Sequence, residues 1–172
     1  MTAPGPRPRR IYGVLCLVGA LTWGLALILL VVAGISGLYA VLLGASEALT
    51  PSPDGPQDGR VVTGVMIGSM VGAVALALIT LVLDAVVAVC SVGRLRAGRG
   101  RAPVSILALV GVGAGTVLPL ALGALAVGAH GAELSRVAGT LGWLLAAELL
   151  VLAPCARLGQ MIGGIVDAAD PR

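Results

Sequence analysis

Residues 142–158 read GWLLAAELLVLAPCARL, an apolar run with Glu148 at its middle. Whether this stretch crosses a membrane decides the fold, because an ionisable residue usually argues against a span. An acid at the centre of a membrane helix costs about 2.5–3.5 kcal/mol on the insertion scale, while each leucine returns about half a kilocalorie. The six leucines between Val137 and Arg157 therefore roughly offset the one glutamate. The stretch can insert, and we read it as a transmembrane helix.

The rest of the chain agrees. Of its 172 residues 58% are hydrophobic and 11% are charged, and the mean hydropathy is +1.06. A soluble domain carries about 25% charged residues. Spanning a bilayer core takes about 20 apolar residues, and four stretches are long enough. They predict helices over about 11–36, 61–92, 103–129 and 137–157. The expected fold is an all-α membrane protein with four transmembrane helices in one integral domain. The first apolar run far exceeds the roughly 7–15 residues of a signal-peptide core, so it is expected to remain as a helix.

Arginine placement sets the expected orientation. Arg7, Arg9 and Arg10 precede the first span, Arg94, Arg96, Arg99 and Arg101 separate the second and third, and Arg157 and Arg172 follow the fourth. Arg60 and Arg136 fall on the other side. By the positive-inside bias both termini are cytoplasmic. The absence of Lys, Asn and Phe points to a GC-rich, bacterial genome, hence the bacterial inner (plasma) membrane. The outer stretch GASEALTPSPDGPQDGR reads as a flexible, acidic linker. Residues 158–172 place Leu158, Met161, Ile162, Ile165 and Val166 at helical spacing, and we expect a cytoplasmic amphipathic tail.

Two packing signals stand out. Gly64, Gly68 and Gly72 form consecutive GxxxG steps in the second span, and Gly111 and Gly115 repeat the spacing in the third. Such glycines let membrane helices approach closely, within one chain or between copies. Pro119 is expected to kink the third span. The first two spans also have about a dozen apolar residues beyond what a core requires. That excess must tilt, break near Gly34 or Gly37, or form a hairpin that a partner covers.

The candidate site consists of Asp84 and Glu148, the ionisable residues inside spans. Counted from Arg94 and Arg157 they lie ten and nine residues in, so they are expected to share a depth. Their flanks, DAVVAVCSVGRL and ELLVLAPCARL, both read acid, apolar run, cysteine, arginine–leucine. That likeness suggests two duplicated helical hairpins. Asp84 shares its helical face with Ala77, Thr80, Ala88 and Ser91, a strip that packs inward. Glu148 shares its face with Leu141, Leu144, Leu145, Val151 and Leu152, a lipid-type face. No Lys or Arg is expected at their depth, so at least one acid should be neutral near pH 7. Thr22, Thr80 and Thr116 are the candidate hydrogen-bond partners.

Other chemistry is not supported. Cys16, Cys90 and Cys155 are odd in number and have no CxxC spacing. His130 and Glu133 lack a third ligand, so we expect no metal and no other cofactor. Serine and histidine form no nucleophile arrangement, so an enzyme is not expected. The arginines hug helix ends, and nucleic acid is not a partner. The expected partners are the lipid bilayer and either further copies or another membrane protein. The function expected is a non-enzymatic accessory, scaffold or interaction subunit. The alternative is a proton- or cation-coupled small transporter or channel subunit that uses the two carboxylates.

Overall fold

A computed structural model describes residues 7–49, 55–98, 101–128 and 134–169. It is all-helical. Helix α1 covers Arg7–Leu49 and α2 covers Gly55–Arg96. Helix α3, Ala102–Val112, passes through a π turn at Gly113–Val117 into α4, Leu118–Gly128. Helix α5, Leu134–Ala147, passes through a second π turn at Glu148–Leu152 into α6, Ala153–Ala169. Four segments are long and apolar enough to cross a membrane: Arg10–Ser46, Gly59–Arg96, Ala102–Leu125 and Gly139–Ala169.

Three element boundaries differ from the sequence reading. Helix α1 does not stop near residue 36, because Gly34 and Gly37 lower helix propensity by only about 1 kcal/mol each and nothing between them forbids the helix. Much of the expected linker is helical, with Ser46 inside α1 and Arg60 inside α2; residues 50–54 lie outside the described part. The fourth helix runs past Arg157 to Ala169. Its apolar residues Leu158, Ile162 and Ile165 point outward, while Arg157, Gln160, Gly163, Gly164 and Asp167 are buried. An amphipathic tail on a watery surface would bury the opposite face. This polarity, apolar outside and polar or small inside, suits a helix surrounded by lipid.

The two π turns have one cause. Each is followed, after a single residue, by a proline: Pro119 after Leu118, and Pro154 after Ala153. A proline ring has no N–H and clashes with the carbonyl four residues back. Widening the helix just before the proline relieves that clash. The Leu118 N–H accordingly bonds the Gly113 carbonyl, and the Ala153 N–H bonds that of Glu148, five residues back in both cases.

The chain divides into two compact units, Met1–Leu21 with Thr80–Arg172, and Thr22–Ile79. In the second unit, α1 and α2 run antiparallel. A Cβ on Gly72 would meet Leu29 Cδ1 at 3.0 Å, and one on Gly37 would meet Met66 Sδ at 3.3 Å. Ala33, Ser69 and Ala73 are buried there. The Ser69 hydroxyl is satisfied within its own helix, donating to the Val65 carbonyl at 2.7 Å.

In the first unit, Tyr12, Cys16, Val87, Val104, Ala108 and Val112 form the apolar core. Glycine permits its closest crossings. A Cβ on Gly13 would stand 2.6 Å from the Gly164 carbonyl oxygen, and one on Gly111 would stand 2.6 Å from Gln160 Oε1.

Candidate functional site

Four helices of the first unit converge on one buried polar knot. Asp84 on α2 is 1% exposed and Arg157 on α6 is 3% exposed. Arg157 Nη1 donates to Asp84 Oδ1 at 2.7 Å, and Nη2 donates to Oδ2. This is the two-pronged geometry that matches a planar guanidinium to a carboxylate. Thr116, in the first π turn, donates to Asp84 Oδ2 at 2.5 Å and accepts from Arg157 Nη2 at 2.7 Å. One turn beyond Arg157, Gln160 Oε1 accepts from its Nη1 at 2.7 Å. Gly19 of α1 closes the fourth side, where a Cβ would lie 3.7 Å from both Asp84 Oδ1 and Gln160 Nε2. Gly115 leaves the room that the guanidinium occupies, since a Cβ there would collide with it.

Toward the C-terminal ends of α2 and α6 lies a second polar group. The Ser91 hydroxyl donates to the Val87 carbonyl at 2.6 Å, so its 2.7 Å contact with Tyr12 uses the tyrosine proton. The guanidinium of Arg94 stacks 4.1 Å over the Tyr12 ring, a cation–π contact. Arg94 Nη1 also forms an ion pair with Asp167 Oδ2 at 2.6 Å, with angles outside those of a hydrogen bond. Both ion pairs join residues 73 apart. Two contacts at a constant offset mean that α2 and α6 run in the same direction. Their charges are reversed: Asp84 and Arg94 on α2 face Arg157 and Asp167 on α6.

This geometry corrects the expected shared depth of the two acids. Arg157 is not a boundary residue beyond the core but the partner of Asp84, so counting inward from it misplaces Glu148. Glu148 lies nine residues N-terminal to Arg157, roughly 13 Å of helix rise from it. It also does not face outward with its leucines. Leu144, Val151 and Leu152 are exposed, whereas Glu148 is 6% exposed. The π turn is the reason. It places Glu148 five residues before the fully buried Ala153, on the face that carries Arg157, Gln160, Gly164 and Asp167. Both carboxyl oxygens of Glu148 are buried, with no hydrogen-bond partner among the described residues.

Of the threonines singled out from the sequence, Thr116 reaches Asp84. Thr80 is buried one turn before Asp84 on α2, and Thr22 is half-buried in the other unit. Gly111 and Gly115 sit against Gln160 and Arg157, and Gly72 sits against Leu29, while Gly64 and Gly68 have nothing within 4 Å of a built Cβ. His130 and Glu133 lie outside the described residues. Sequence reasoning missed Arg157, Gln160 and Pro154. The available signal was the reversed spacing, Asp-then-Arg ten apart on one span and Arg-then-Asp ten apart on another. Comparison with protein-family models, curated proteins and solved structures finds no match for this chain.

Proposed function

We propose that this chain is a non-enzymatic accessory, scaffold or interaction subunit of a bacterial plasma membrane, with both termini cytoplasmic. The knot around Asp84 carries the reading. A cation path through the spans would draw on this acid, yet an intramolecular guanidinium and a hydroxyl occupy both of its oxygens. The polar side chains gathered there are spent on holding helices together. Orientation rests on the remaining arginines. With Arg157 removed from the boundary count, Arg10, Arg94, Arg96 and Arg101 still mark one side, against Arg60 and Arg136 on the other. A duplicated pair of hairpins is supported by the parallel course of α2 and α6. In space, however, Asp84 is matched by Arg157 rather than by Glu148.

Gly64 and Gly68 sit beside exposed Val61, Val65 and Val71, which supports contact with a further copy or another membrane protein. Affinity purification of the full chain in mild detergent should yield a stoichiometric companion or a defined oligomer. A lone monomer counts against the proposal.

A second reading, a proton- or cation-coupled small transporter or channel subunit, draws on Glu148, which has no hydrogen-bond partner among the described residues. Its test is flux in reconstituted vesicles for the wild type, Asp84→Asn and Glu148→Gln. Flux at the empty-vesicle level in all three removes it.

A further inference from the structure

Three acids lie inside the spans: Asp84 and Asp167 each face an arginine, whereas Glu148 meets no donor among the described residues. Asp84 has a guanidinium, a hydroxyl and good geometry, so its negative charge is compensated where it stands. Glu148 is nearly as buried, and neither of its oxygens meets a donor among the described residues. An ionised carboxylate without a partner in a low-dielectric interior is far too costly to persist, and such a group takes up a proton instead.

The neighbouring cations are already engaged. The first π turn, α5 and α6 pack against the π turn that begins at Glu148. The first π turn contains no ionisable side chain, and α5 carries one, Arg136, twelve residues before Glu148 and roughly 18 Å away in helix rise. Helix α6 carries Cys155, which is exposed, Arg157, which is bound to Asp84, and Asp167, which is paired with Arg94. On the stretches of α1 and α2 in the same unit, Tyr12 is bonded to Ser91, Cys16 lies in the apolar core, Arg10 and Arg96 are exposed at helix ends, and Cys90 is exposed. The fold therefore commits its interior arginine to Asp84 and leaves Glu148 to be neutralised by something small.

We propose that Glu148 is a proton-binding site, a carboxyl that stays neutral in the membrane interior while Asp84 stays charged against Arg157. This goes beyond the accessory reading and does not depend on it. A proton site is necessary for the transport reading but does not imply flux, so vesicle flux and the measurement below can fail separately.

The test is infrared spectroscopy of the full chain in liposomes at neutral pH, in H2O and D2O. The wild type should show a carbonyl stretch of a protonated carboxyl that shifts in D2O. The band should be lost in Glu148→Gln and kept in Asp84→Asn. Because Asp84→Asn strands a buried arginine and can misfold, the Asp84→Asn/Arg157→Gln double variant, which removes both charges, serves as a second carrier of the band. No such band in the wild type at neutral pH overturns the proposal. So does a band that survives Glu148→Gln, or one that is lost when Asp84 is replaced in the double variant.

Discussion

The junction around Asp84 and the helix pair of Thr22–Ile79 are both built with α1 and α2, yet they hold their helices by different means. In the junction, glycines bring backbones into contact and guanidinium–carboxylate pairs lock the register. In the helix pair, the contacts are a leucine and a methionine laid against Gly72 and Gly37. The contrast is sharpest for glycines of equal spacing. Gly111 and Gly115 receive Gln160 and Arg157, whereas Gly64 and Gly68 receive nothing among the described residues. A GxxxG step thus permits close approach without specifying it. What specifies it is a partner helix with a side chain that must be buried there.

The largest expected effect breaks the junction at its centre. Arg157→Met leaves the Asp84 charge buried and uncompensated, and should lower stability by about 3–5 kcal/mol. Asp84→Leu/Arg157→Met removes both charges and should recover most of that loss, with Thr116 and Gln160 bearing the remainder. Unfolding in mixed detergent micelles, followed by circular dichroism, measures both. A double variant no more stable than the single one would mean that the pair does not act as a unit.

Next comes Gly115→Ala, whose Cβ displaces the guanidinium. Overpacking of this kind costs about 1–3 kcal/mol. Gly68→Ala, with open space around it, should leave monomer stability unchanged or raise it by up to about 1 kcal/mol, since alanine is the better helix former. Equal effects at the two positions, in the same unfolding assay, would erase the distinction between the regions.

A smaller effect is expected at the outer ion pair, where the Arg94 side chain is partly open to its surroundings. Arg94→Asp sets a second acid against the buried Asp167 and loses the stack on Tyr12, at a cost of about 1–2 kcal/mol. Adding Asp167→Arg restores opposite charges and should recover part of the loss in a double-mutant cycle. No recovery would mean that charge pairing does not fix the register of α2 and α6.

The four spans were legible because a bilayer imposes a local, additive requirement: about 20 apolar residues in succession. Gly142 to Leu158 met it despite Glu148. The partner of Asp84 was not legible in that way. An arginine that ends an apolar run has the same local appearance whether it stops a span or is carried inside one. Only contact with a residue 73 positions away distinguishes the two. The facing of Glu148 was lost for a related reason. Helical phase extrapolates at 100° per residue, and a π turn ahead of Pro154 breaks that count.

By itself, then, the sequence determined a membrane protein of four apolar helices that carries Asp84 and Glu148 inside its spans. Tertiary structure alone decided which acid meets a cation and which does not. Hydrophobic length is summed along the chain, whereas the compensation of a buried charge depends on the few atoms within about 3 Å of it.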